Sequence, residues 1–108
     1  RRGLVVEARL QVPPPPREKQ LALFRVVQEA LTNVLRHARA GRVKVELWPE
    51  VDRLFGLVED DGVGFDPEST PPSVGLLGMQ ERIQGLGGSL VLRSAPGQGT
   101  RVAFGVPL

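Results

Sequence analysis

The chain has 108 residues, of which 41% are apolar and 24% charged. That balance suits one compact domain with a single core and excludes a disordered chain. It has no cysteine, which excludes disulfides and thiolate metal sites and makes a reducing compartment natural. Net charge is +2, from 14 basic and 12 acidic residues, so the isoelectric point near 9.9 overstates a small excess. The basic residues are scattered, and the aromatics are one Trp and four Phe with no Tyr. Single-stranded nucleic-acid binding wants a basic groove with stacking aromatics, so no nucleic-acid role is expected. No apolar run approaches the roughly 20 residues of a membrane span, and no signal-peptide pattern opens the chain. It begins at Arg1, which reads as a fragment of something longer.

Leu4 to Val12 alternates loosely and reads as a strand. Pro13 to Pro16 ends it and acts as a stiff connector, since proline fixes φ and removes donors. Glu18 to Ala40 is the strongest helix signal. Leu21, Phe24, Val27, Leu31, Val34, Leu35 and Ala38 recur at three- and four-residue steps on one stripe, and Gly41 is a natural stop. Val43 to Trp48 alternates as a half-buried strand closed by Pro49, and Leu54 to Glu59 is its expected antiparallel partner. Asp60 to Asp66 is acidic and glycine-rich, and Pro67 to Ser73 is a polar loop. Gly75 to Leu86 carries Leu76, Met79, Ile83 and Leu86 as a second amphipathic helix, ended by Gly87 and Gly88. Ser89 to Ala95 and Thr100 to Val106 read as a closing hairpin around the turn Pro96 to Gly99. This order has few helical crossovers. It predicts an α+β two-layer sandwich, with a mixed, mostly antiparallel sheet and helices on one face.

Four constellations could carry chemistry. Glu29, Asn33 and His37 are spaced by four on the long helix, with Arg36 one step round, and Asn33 falls almost opposite the centre of the apolar stripe. Carboxylate, amide, imidazole and guanidinium in a row can hold a hydrated Mg²⁺ and its phosphates, because Mg²⁺ needs only one or two protein oxygens. Taken alone, a solvated helix face is the better reading. Glu59 to Asp66 follows a strand directly: Asp60 would point a fixed carboxylate into an opening that Gly62 and Gly64 line with bare backbone. An acidic turn is the plain alternative, and a calcium loop of the helix–loop–helix type lacks its distal Glu. Gly75 to Met79 opens a helix and offers free N–H groups to phosphate, or is a simple helix start. Gly97-Gln98-Gly99-Thr100 is most simply a hairpin turn.

Together and in this order, the four resemble one family. Val26 to Ala38 is similar to the N box of the nucleotide-binding superfamily shared by histidine kinases, gyrase, Hsp90 and MutL. Asp60-Asp61-Gly62-Val63-Gly64 is similar to its Asp-x-Gly-x-Gly box, Gly75 to Arg82 to its second glycine box, and Gly97 to Thr100 to its terminal Gly-x-Gly-Thr. The wording of the N box and the Gly-Met-x-Glu-Arg element resemble sensor kinases that pair with response regulators carrying a helix-turn-helix output domain. The resemblance runs from about Leu4 to Leu108, with one departure: Ser73 stands where that branch usually has the first glycine of its second box. A serine there leaves binding intact and puts the flexibility of the lid in question.

The resemblance implies the Bergerat ATP-binding fold over residues 1–108 as one domain of a longer kinase, with ATP between the long helix and a lid. It implies that Asn33 holds Mg²⁺ and that Glu29 holds a metal-bound water or orients the reacting groups. Arg36 and His37 would face the phosphates, Asp60 would accept from the adenine amino group, and Gly62 and Gly64 would let the base sit against backbone. Gly75 and Leu76 would present N–H groups to phosphate, and Thr100 would touch the adenine side. The implied activity is transfer of the γ-phosphoryl group of ATP to a histidine on a separate dimerisation domain. The implied partners are that helical domain and a response regulator, in a full-length homodimer. The implied location is the cytoplasmic portion of a sensor, free or membrane-anchored. His37 is the sole histidine and sits inside the N box, so ATP binding without self-phosphorylation is expected of this chain alone. The alternatives are a serine kinase of the anti-sigma type, a gyrase-like ATPase, for which the eight residues between Asp66 and Gly75 make a short lid, and a non-catalytic interaction module.

Overall fold

A computed structural model of the chain describes residues 5–10, 17–69 and 74–107. The proline run Pro13–Pro16, the ends of the first expected strand at Leu4, Gln11 and Val12, and residues 70–73 of the expected polar loop lie outside the described residues. The elements follow as β1 (Val5–Leu10), α1 (Arg17–Asn33), a π-helical turn (Val34–Ala38), β2 (Arg42–Glu50), β3 (Arg53–Asp60), α2 (Val74–Gly85), β4 (Ser89–Ser94) and β5 (Thr100–Pro107).

The sheet has five strands in the order β1-β2-β3-β5-β4. β1 runs parallel to β2, and every other pairing is antiparallel. The mixed, mostly antiparallel sheet matches the expectation, and so do its two hairpins. Pro49 does not close β2 as its chemistry suggests. It pairs with Leu54, and the strand runs on to Glu50, opposite Arg53.

Strand alternation sorts the sheet into two faces. Val43 and Val45, Leu54 and Val58, and Phe104 and Val106 point one way, into a core closed by Leu23, Val26 and Ala30 of α1, Val34 of the π turn, and Met79 and Ile83 of α2. Fully burying each such side chain contributes about 1.5–3 kcal/mol, which is what holds two helices on one face of the sheet. α2 keeps the face expected of it, and it ends as Gly87 and Gly88 require. Gly88 N–H donates to the carbonyl of Ile83 (2.9 Å), Gly87 N–H donates to that of Gln84 (2.9 Å), and Gly87 takes a positive φ of 82°.

α1 departs from expectation in two ways. Its buried stripe runs through Leu23, Val26, Ala30 and Val34, while Leu21, Phe24 and Leu35 are exposed. The apolar residues of this helix are spread around most of its circumference, so periodicity leaves the centre of the stripe open. Packing selects the side that carries Ala30, which is buried in the core. Asn33 is consequently half-buried on the flank of the stripe rather than opposite it. The helix also ends early. It widens into the π turn and stops at Arg39, which takes a left-handed conformation (φ 51°, ψ 38°), two residues before the expected stop. Gly41 serves elsewhere, where its N–H donates to Asp61 Oδ1 (2.9 Å).

The β2–β3 hairpin turns at Val51 and Asp52, and Val51 sits fully exposed at φ 56°. A left-handed backbone costs an L-residue roughly 1–2 kcal/mol, and a β-branched side chain gains nothing here in return. Val51→Gly relieves that strain, partly offset by a more flexible unfolded chain. Urea unfolding of this variant is expected to show a gain of about 0.5–1 kcal/mol; an unchanged or lower midpoint would contradict the strained turn.

Candidate functional site

β3 is the central strand, and Asp60 is its last residue, paired with Val43 of β2 on one side and Thr100 of β5 on the other. It shares the parity of Leu54 and Val58, so its side chain lies on the helix side of the sheet, with only 7% of its surface exposed. Gly62 N–H donates to its Oδ1 (2.8 Å), and the backbone N–H of Thr100 also donates to the carboxylate. Burial pushes the Asp60 carboxyl above its ordinary value of 3.8. The two backbone donors pull it down, and the charges of Asp61 and Glu59 push it up further. The ionised group only accepts hydrogen bonds, so it calls for a donor from whatever faces it.

Close backbone contacts shape the loop after Asp60. A Cβ at Gly64, where φ is 63°, would stand 2.1 Å from the carbonyl oxygen of Ala95. A Cβ at Gly99, where φ is 74°, would stand 2.1 Å from that of Asp60. Only glycine fits either position, for conformation and for space alike. The acidic loop is thereby pressed onto the β4–β5 turn, and Gly97 N–H donates to the carbonyl of Val63 (2.6 Å). The Gly-x-Gly-Thr segment is therefore a hairpin turn and the surface on which the acidic loop packs.

Two residues outside the expected set complete this end. Ser94 accepts from Phe65 N–H (2.9 Å), donates to the carbonyl of Gly99 (2.9 Å) and meets Thr100 Oγ1 at 2.9 Å. Asp61 Oδ1 accepts from the N–H groups of Gly41 (2.9 Å) and Arg42 (3.0 Å), tying the acidic loop to the start of β2. In the sequence Asp61 fills the variable position of its box, and Ser94 is one more strand residue. Both act on partners brought near by strand pairing, which no local pattern reports.

The second group lies where α1 meets α2. Glu29 and Asn33 are half-buried one turn apart on α1. Gly75, in the first turn of α2, lies so close to Glu29 that a Cβ there would stand 2.3 Å from its Oε2. Leu76 follows, half-buried. Asn33 makes no capping hydrogen bond to the turn that follows it. Arg36 is exposed on the π turn. The line Glu29–Asn33–His37 assumes a regular α-helix. A π turn takes more residues per revolution, so position 37 falls back from that line. The side chain of His37 lies outside the described residues. Among the described residues, no three acidic or histidine side chains form a metal-binding group. The pair Glu29 and Asn33 suits a cation that keeps most of its shell in water and phosphate.

A cavity of about 650 Å³ opens beside Asp60 and Thr100. It spreads over the sheet face turned away from the helices. There Glu7, Lys44, Glu59, Arg101 and Arg93 stand in one row across all five strands. Lys44 and Arg101 flank Glu59 at 3.8 and 3.9 Å, as exposed ion pairs. This is a solvated groove. The candidate site is on the opposite face, between the strand ends and the two helices.

Residues 18–108 match the family described as histidine kinase-, DNA gyrase B- and HSP90-like ATPase. Among curated proteins, the chain is 40% identical over 94 residues to the signal transduction histidine-protein kinase/phosphatase DegS of Brevibacillus brevis, covering 86% of this chain and 24% of that one. It is 42% identical over 89 residues to the kinase/phosphatase UhpB of Salmonella typhimurium, covering 82% and 17%. Among solved structures, it superposes on the histidine kinase domain of a blue-light activated histidine kinase from Erythrobacter litoralis with a TM-score of 0.86. The identity is 27%, over 97% of this chain and 52% of that one. The chain thus spans a quarter or less of these curated relatives. The family match, over most of the chain, implies ATP binding, and the fold is that of histidine kinase ATPase domains. By match, fold and the order of its boxes, the chain belongs to the histidine kinase-, gyrase- and HSP90-like ATPases.

Proposed function

We propose that residues 1–108 form the ATP-binding catalytic domain of a longer sensor histidine kinase. The domain binds Mg·ATP and presents its γ-phosphoryl group to a histidine on a separate dimerisation domain. From there the group passes to a response regulator. The whole kinase is a homodimer and this portion is cytoplasmic. The observation that carries the reading is Asp60: a buried carboxylate at the end of the central strand, in a family whose members bind ATP.

Phosphoryl transfer asks mainly for positioning and charge neutralisation. In this reading Asp60 accepts a hydrogen bond from the adenine amino group. Gly62 and Gly64 keep that wall to bare backbone, and Thr100 lines the adenine side. Gly75 and Leu76 turn N–H groups of the α2 terminus toward the phosphates, where the helix dipole favours negative charge. Asn33 would hold Mg²⁺ through its amide oxygen, Glu29 would hold the ion through water or orient the reacting groups, and Arg36 and His37 would face the phosphates. When bound, Mg²⁺ neutralises charge on the phosphate oxygens. The chain's one histidine is part of this pocket, so the acceptor is supplied from outside it.

Base selectivity tests the reading first. Adenine offers Asp60 a donor, whereas guanine offers a carbonyl oxygen at the same position. A hydrogen bond to a charged group is worth about 1.5–3 kcal/mol, so ATP is expected to bind at least about tenfold more tightly than GTP in calorimetric titration. Asp60→Asn lowers ATP affinity and narrows the gap, because an amide can turn a donor toward guanine. Asp61→Asn keeps the oxygen that Gly41 and Arg42 use and leaves the ratio unchanged. Equal binding of ATP and GTP would remove Asp60 from the adenine pocket.

The raised Asp60 value sets a pH dependence. As pH falls, Asp60 takes up its proton earlier than an exposed aspartate with the ordinary value of 3.8, and the acceptor is lost. ATP affinity is expected to fall on acidification with a component that begins above that value and is missing from Asp60→Asn. Parallel profiles for the two proteins would contradict it.

The metal has its own test. Asn33→Ala is expected to weaken ATP binding by about tenfold or more with Mg²⁺ present, the scale of one oxygen bonded to a charge, and to change metal-free binding little. Equal losses in both titrations would make Asn33 a packing residue.

A further inference from the structure

The row Ser94–Thr100–Asp60 crosses β4, β5 and β3 on the helix side of the sheet, each residue directly opposite the next. Ser94 stands outside the set of residues that the proposed function uses. Its hydroxyl has one proton and two lone pairs. The proton goes to the carbonyl oxygen of Gly99 (2.9 Å). One lone pair takes Phe65 N–H (2.9 Å). The remaining contact, Thr100 Oγ1 at 2.9 Å, can then be made only with Thr100 as donor. With its proton committed to Ser94, Thr100 Oγ1 offers lone pairs alone to whatever enters the pocket. Beside it stands Asp60, which likewise only accepts when ionised.

We infer that Ser94 is a positioning residue that sets base specificity: by taking the Thr100 proton it makes Thr100 an acceptor beside the Asp60 carboxylate, so that the pocket edge selects an amino-bearing base over a carbonyl-bearing one. Ser94 also joins Phe65 of the acidic loop to Gly99 of the turn, so the orientation of Thr100 and the closure of the loop depend on one hydroxyl. This inference rests on the reading that the Asp60 end holds adenine.

The test titrates the 108-residue chain and its variants with ATP and GTP. Ser94→Ala removes the acceptor for Thr100, whose hydroxyl can then turn a donor into the pocket. ATP affinity is expected to fall about tenfold, the scale of the hydrogen bonds lost, and the ATP-to-GTP ratio to narrow. Ser94→Thr, which keeps the hydroxyl, restores the ratio. Thr100→Val narrows the ratio by itself, and adding Ser94→Ala to it narrows the ratio no further, because both act through one hydrogen bond. Should Ser94→Ala fail to fold, the Ser94→Thr and Thr100→Val pair decides the matter, since a ratio unchanged in Thr100→Val overturns the inference. So does a Ser94→Ala protein that loses thermal stability but keeps the ratio, as does one that binds ATP like the unmodified chain. If the unmodified chain binds no ATP, the proposed function falls and takes this inference with it. If it prefers ATP and only the Ser94 variants fail to respond, the inference falls and the proposed function stands alone.

Discussion

Asp60 is a carboxylate kept out of water at the end of the central strand, with 7% of its surface exposed. Removing a charge from water is costly unless hydrogen bonds replace the lost solvent, and here the backbone N–H groups of Gly62 and Thr100 do so. Those donors exist only because the chain after β3 turns back sharply and β5 pairs alongside. The burial, the turn and the pairing therefore stand together. A group held this way keeps capacity to accept a further donor, which is the property a recognition site needs.

The surrounding backbone is built to let that happen. Gly64 and Gly99 allow the acidic loop and the β4–β5 turn to pack at distances a side chain would forbid. Ser94 and Asp61 then lock the loop from two sides, one to the last hairpin and the other to the start of β2. On α1, Glu29 and Asn33 are half-buried on the flank of the stripe that packs into the core. Packing of α1 on α2 brings Gly75 against Glu29, so the phosphate end of the proposed site depends on helix–helix contact and the base end on strand pairing. One core under the sheet, from Val26 to Val106, holds both ends in register.

Much of this is legible in the sequence. Alternation marks β2 and β4, because a half-buried strand writes its period of two directly into residue order, and an apolar run and a closing turn mark their partners β3 and β5. Met79 and Ile83 mark the buried face of α2 correctly, with Leu76 and Leu86 beside them, although Leu77 is exposed. α1 misleads: with Leu21, Phe24 and Leu35 apolar but exposed, periodicity alone does not say which side the sheet takes. The π turn at Val34–Ala38 is marked by no glycine, proline or other break in residue order. Nor does a local pattern report the roles of Ser94 and Asp61, whose hydrogen bonds reach partners up to 29 residues away. Asp60 stands out because its chemistry and its glycines are adjacent in sequence.

In the proposed function a nucleotide entering on the helix side of the sheet would meet Asp60 with its base, and everything proposed for this chain depends on that placement. The most direct measurement is a crystal structure of the chain with Mg²⁺ and a non-hydrolysable ATP analogue. The expected result is the adenine amino nitrogen at about 3 Å from the Asp60 carboxylate, with the phosphates at the first turn of α2 beside Glu29 and Asn33. A nucleotide found instead on the open face, along the row of Lys44, Glu59 and Arg101, would contradict it.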